Sequence, residues 1–218
     1  MIDKKSEYRL LELRTLGTIS EEIDKTLIKT VNPDTQKPYG YGMERFPMSL
    51  VETYKWLCGH GFGKMVARRI KLIGMEAFDP LGYKQQGLVK GAEETLDFIK
   101  KHGDIQVLLT KGEPLVQDYK IVALELERWF GEEIHIINSK SKETFEEYQG
   151  RFGFNAIYSV GNSYGSDIQP ALDAGVKGIF IPYYTWLGEE RPPITNNEKV
   201  FEIKEVREII DLYKKNRL

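Results

Sequence analysis

Three short segments of this 218-residue chain carry the side chains that could do chemistry. Thr110-Lys111-Gly112-Glu113 follows an apolar run and precedes a helical pattern. A hydroxyl there, beside the free backbone N–H groups that open a helix, forms a grip for phosphate; Thr110 equally suits a helix cap. Lys140, within Asn138-Ser139-Lys140-Ser141-Lys142-Glu143, follows a second apolar run. An ammonium in that place can neutralise a phosphoryl group and the charge that builds up as it transfers; the plainer alternative is a solvated surface lysine. Gly161-Asn162-Ser163-Tyr164-Gly165-Ser166-Asp167-Ile168 is the richest segment. Asn162 and Asp167 offer hard oxygen ligands of the kind Mg2+ takes, and Asp167 also suits the first turn of a helix on dipole grounds.

The same segment fits G-x-S-x-G, the strand–turn–helix setting of a serine nucleophile. In that arrangement the histidine follows the serine. His60, His102 and His135 all precede Ser163, so serine hydrolysis through Ser163 lacks a general base in the required order.

Elements that place these segments at common edges can be read from the pattern. Helix 92–101 precedes Ile105-Gln106-Val107-Leu108-Leu109, and a helix of about 114–129 precedes Ile134-His135-Ile136-Ile137. A helix near 142–151 precedes Ala156–Val160, and one over 167–174 precedes Gly178–Ile181, with Val206–Tyr213 as a closing helix. Short apolar strands separated by helices indicate an α/β fold with a doubly wound, Rossmann-like parallel sheet. Such sheets work at the carboxyl ends of their strands, where all three segments fall. Residues 3–85 read instead as helices. Leu10, Leu11, Leu13 and Leu16 form an apolar face that Gly17 ends, and Ser20 starts a helix toward Val31. A turn-rich passage from Asn32 to Gly42 precedes helices at Ser49–Leu57 and Lys64–Met75. The expected organisation is an N-terminal all-helical domain, 1–85, and an α/β core, 86–218.

With 31 basic and 33 acidic residues, the net charge of −2 offers no electrostatic footprint for nucleic acid or an anionic membrane. Cys58 is the one cysteine, which excludes an internal disulfide and a cysteine-based zinc cluster and fits a reducing cytoplasm. No apolar run approaches the ~18–20 residues that span a bilayer, and Met1–Glu7 lacks the apolar segment of a secretory signal. The expectation is a cytoplasmic protein without nucleic-acid or membrane partners.

Thr110, Lys140 and Asn162/Asp167, in order at successive strand ends, resemble motifs II, III and IV of the haloacid dehalogenase (HAD) superfamily. Leu109-Thr110-Lys111-Gly112 looks like the "TKG" form of motif II, and Lys140-Ser141-Lys142-Glu143-Thr144-Phe145 like a "KTPETY" motif III. Val160–Ser163 through Ser166-Asp167 to Ala174-Gly175 looks like "VGNSxxSD…AG". Tyr39-Gly40-Tyr41-Gly42, Phe46 and Ser49–Thr53 resemble the "YGYG…F…SxxET" stretch of a phosphatase-type subgroup. The resemblance implies a HAD-like hydrolase with a helical cap of the C1 type and Mg2+-dependent hydrolysis of a small phosphate monoester. It puts Thr110, Lys111, Gly112 and Lys140 on the phosphate, Asp167 and Asn162 on the metal, and Tyr39, Tyr41 and Phe46 over the substrate. It leaves a dimer open.

The resemblance further implies a D-x-D-x-T motif ending the central strand, whose first aspartate attacks phosphorus. No such motif occurs in this sequence. Asp3 is followed by Lys4 and Lys5, Asp24 lies in a helical pattern, and Asp34 and Asp79 each sit beside a proline. The expectation is a scaffold inactive as written, through N-terminal truncation or as a non-catalytic relative that binds a phospho-ligand or a partner. A second chain supplying the strand is a further alternative. Without a central strand, the strands at 105–109 and 156–160 must pair directly or leave a gap of unsatisfied backbone groups.

Overall fold

Periodicity of 3.6 governs the first part of the chain and short apolar runs govern the rest. The computed structural model describes residues 17–153, 156–182, 198–215, 217 and 218. It forms two compact units: one takes the chain up to Gln86 together with Gly112–Ala123, the other takes Gly87–Lys111 and Leu124–Leu218.

The first unit is helical. Residues 17–27 form α1, followed by α2 (Arg45–Cys58), α3 (Lys64–Met75) and α4 (Pro80–Gln86). Helix α6 (Pro114–Ala123), from the segment after the first strand, also belongs here. Helices α2 and α3 pack closely because Gly74 lacks a side chain: a Cβ there would lie 2.8 Å from Pro47 Cα and 3.2 Å from Leu50 Cδ1. A buried ion pair, Arg45 with Asp24, ties α2 to α1. Helix α1 already includes Ser20, where the pattern starts a helix, and Gly17 is helical too. The leucine face expected upstream of it lies outside the described residues.

In the second unit, α5 (Ala92–His102) leads to β1 (Leu108–Lys111), and α7 (Glu127–Phe130) to β2 (Ile134–Ile137). Helix α8 (Lys142–Phe152) leads to β3 (Tyr158–Gly161). A π-turn over Tyr164–Ile168 and α9 (Gln169–Asp173) lead to β4 (Lys177–Phe180), then β5 (Val200–Glu202) and α10 (Glu208–Lys214). The helix expected over about 114–129 is broken into α6 and α7, because Glu125 takes a left-handed backbone with φ of 53°. The first strand starts later than its apolar run, and Ile105 is largely exposed.

All strand pairs are parallel, but they form two ladders: β1 with β2, and β3–β4–β5. Among the described residues, no strand joins β1 to β3. Among the described residues, the segments at 105–109 and 156–160 do not pair directly with each other. Ile179 of β4 packs on Ile203 and on Ile209 and Leu212, the last two on α10. Phe145 of α8, Ala171 of α9 and Val176 form a second cluster, against which Leu109 and Ile157 pack.

Candidate active site

The site is built on the turn after β3. Asp167 sits in the π-turn and is only 6% exposed. Its Oδ1 accepts from Lys140 Nζ at 2.6 Å and its Oδ2 from the Ser163 N–H at 3.0 Å. Its backbone is fixed as well: the N–H donates to the Ser163 carbonyl at 2.8 Å, and the carbonyl accepts the Ser159 hydroxyl at 2.7 Å. Gly161 makes room for this. A Cβ on Gly161 would collide with the carboxylate and Cβ of Asp167. A buried carboxylate so placed persists only because it is paired; removing its partner costs about 3–5 kcal/mol.

Lys140 comes from the loop after β2 and directly precedes the cap of α8. The Ser141 hydroxyl accepts the Thr144 N–H at 3.4 Å, and the Ser141 N–H donates to Thr144 Oγ1 at 3.3 Å. Hydrogen bonding to Ser141 also holds the Glu143 carboxyl below its ordinary range. This reciprocal cap fixes the start of α8 and with it the direction of Lys140. Lys142 points elsewhere, pairing with Glu146 at 3.2 Å on the exposed face. Motif spacing thus brings Lys140 and Asp167 into direct contact across the carboxyl ends of β2 and β3.

Thr110 and Lys111 are the last two residues of β1, also at a carboxyl end. Gly112 follows with φ of +147°, and a Cβ there would lie 2.6 Å from Gln117 Nε2. The backbone there favours glycine, and a Cβ would press on the end of the Gln117 side chain. Glu113, not expected from its residue type, accepts the Met43 N–H and so anchors the Tyr39–Gly42 turn within the first unit.

Tyr39, Tyr41 and Phe46 all belong to that first unit. Tyr41 is exposed, with the Arg45 guanidinium 5.4 Å over its ring. Phe46 packs edge-to-face on Phe78 at 6.3 Å. Burial, then Glu44, Asp34 and Glu52, push the Tyr39 hydroxyl above its ordinary pKa.

Ser163 is a capping residue: its Oγ accepts the Ser166 N–H at 3.1 Å, and its backbone is ordinary extended chain. His135 bonds to Glu133 at 3.1 Å and His102 to Asp104 at 3.3 Å.

A carboxylate has about four lone-pair positions, and Asp167 uses one on Lys140 and one on Ser163. Exposed Asn162 adds a carboxamide oxygen on the same turn. No group of three or more His, Cys, Asp or Glu stands ready for a metal among the described residues. That fits Mg2+ only in the way it commonly binds, through one or two carboxylates, waters and a ligand's phosphate.

No family profile and no curated protein matches the chain. Solved structures do. A haloacid dehalogenase-like family hydrolase from Xanthomonas campestris superposes with a TM-score of 0.66 at 22% identity, over 93% of this chain and 87% of that one. A dehalogenase with an intermediate complex gives 0.59 at 17%, over 91% and 83%. A HAD-hydrolase from Bacillus subtilis bound to magnesium gives 0.55 at 15%, over 91% and 82%. The fold of this chain is therefore the HAD-like α/β fold.

Proposed function

We propose that this chain, carrying the HAD-like fold, is a phosphatase-type scaffold that binds a small phosphorylated molecule and does not turn it over by aspartyl-phosphate chemistry. Thr110, Lys111, Gly112 and Lys140 hold the phosphate. The observation that carries the reading is the buried Lys140–Asp167 pair at the carboxyl ends of two strands, 2.6 Å apart. An ammonium held by one carboxylate, rather than by a network, can turn to an arriving phosphate dianion while staying partly desolvated, where charge-assisted bonds are strongest. The bend at Gly112 and the Thr110 hydroxyl supply neutral donors for the remaining phosphate oxygens. Asp167 and Asn162, with phosphate oxygens, would hold Mg2+. When bound, the ion offsets the phosphate charge and lets the dianion sit beside Asp167.

Binding without turnover is supported by the sequence, which contains no D-x-D-x-T. A phosphoryl group held by these residues meets no carboxylate nucleophile of that motif. The unpaired Cys58 supports a cytoplasmic setting. Partner binding without a phospho-ligand is the second reading, favoured by the two separate ladders among the described residues.

Calorimetric titration with inorganic phosphate tests the first reading. Millimolar binding is expected with Mg2+, and Lys140→Met weakens it by about tenfold or more, the worth of one charge-assisted bond. Equal affinity in Lys140→Met, or no heat at tens of millimolar, would overturn it.

A further inference from the structure

A lysine taken partly out of water is ordinarily held by a carboxylate. Among the described residues Lys55, Lys71, Lys120 and Lys140 are half-buried. Lys55 pairs with Glu52, Lys71 with Glu44 and Lys140 with Asp167. Lys120 pairs with no carboxylate among the described residues. Its Nζ lies instead over the Tyr83 ring, 5.4 Å from the centroid.

The sequence of α6 puts it there. Val116, Gln117 and Ile121 are the buried residues of that helix. Lys120 stands at i+4 from Val116 and i+3 from Gln117, so it shares their face. Helices α6 and α4 both belong to the first unit and pack together, and Tyr83 of α4 covers the ammonium. The other charged groups of these elements do not neutralise it. Asp118 is exposed on the opposite side of α6, Lys84 is exposed on α4, and Glu113 accepts the Met43 N–H. Burial pushes the Lys120 ammonium below its ordinary pKa and the Tyr83 hydroxyl above its own, which keeps the phenol neutral.

We propose that Lys120 is an acylation site, an amine that takes an activated acyl group ahead of the chain's exposed lysines. The neutral amine is the nucleophile, and a half-desolvated place with no carboxylate favours it over the ammonium. The nitrogen lone pair forms the C–N bond to the acyl carbon. The bond from that carbon to phosphate or thiolate breaks, the leaving group keeps its electron pair, and the nitrogen gives its proton to water. Acyl phosphates and thioesters share this chemistry. The product amide is neutral, so modification removes the unneutralised charge and the cation–π contact with Tyr83 together. Lys120 is not one of the residues assigned to phosphate, so this inference stands or falls separately from the phosphate reading.

The test is brief acetylation of the full chain at neutral pH, read lysine by lysine by mass spectrometry. Acetyl phosphate and a simple acetyl thioester serve as probes. Both are expected to label Lys120 severalfold faster than the exposed Lys64 and Lys101. The advantage should shrink as pH rises toward the ordinary lysine range, where exposed amines become neutral too, and should vanish in urea. The inference is overturned if Lys120 reacts no faster than Lys64 and Lys101 in the folded chain, or if its advantage survives unfolding. An advantage with acetyl phosphate alone would trace to a bound anion rather than to the amine, and overturns it as well.

Discussion

Asp167 depends on neighbours that do no chemistry themselves. Ser159 fixes its carbonyl, Ser163 its carboxylate and amide, and Gly161 supplies the space. Gly161→Ala is therefore expected to displace the carboxylate although φ at this position is unremarkable. Overpacking of this kind costs about 1–3 kcal/mol, measurable by urea unfolding, and phosphate affinity should fall with it. Wild-type stability in Gly161→Ala would mean that Asp167 is not held against the strand. Lys140 and Asp167 were legible because each follows an apolar run at a strand end. Ser159 left a fainter trace, a lone hydroxyl inside the apolar run Ile157–Val160. Glu113 left none, since a carboxylate opening a helix reads as an ordinary dipole partner.

Elements with a strong period were legible to the residue: α3 and β2 have the bounds their patterns imply. Helices α6 and α7 did not read as two, because the break at Glu125 uses a left-handed residue that is neither glycine nor asparagine. Strand β5 is three residues long, too short for alternation to register. Helix α10 is anchored by a polar contact that periodicity cannot reveal. The Tyr213 hydroxyl donates to Asp104 Oδ2 at 2.7 Å, while its ring packs on Phe98 and His102 at 5.4 and 4.9 Å. Burial first, then Asp104, pushes the Tyr213 hydroxyl well above the ordinary tyrosine range. The folded state favours the neutral phenol, so this contribution is full below the unfolded pKa of about 10 and is lost as pH rises above it. Tyr213→Phe should cost on the order of 0.5–1.5 kcal/mol at neutral pH. It should also make the decline in stability above about pH 10 shallower, as thermal melts across that range will read. An unchanged alkaline slope would mean that Tyr213 is not the group responsible.

At the scale of the whole molecule, the proposed phosphate site lies at the carboxyl ends of strands that form two ladders among the described residues. Lys140 and Asp167 meet beyond the carboxyl ends of β2 and β3, and Thr110 stands near the carboxyl end of β1, the edge at which doubly wound folds do their chemistry. No helix among the described residues is long and apolar enough to cross a membrane. The change of period led to the expectation of an all-helical part, 1–85, and an α/β part, 86–218. That Gly112–Ala123 joins the first unit was not legible, because tertiary packing alone decides it. The central claim is that the site holds phosphate without cleaving its ester. Phosphorus NMR of a simple phosphate monoester, titrated with the protein and Mg2+, reads both halves at once. The account predicts a saturable change in the monoester signal with no inorganic phosphate accumulating; an unchanged signal, or a growing inorganic phosphate peak, would contradict it.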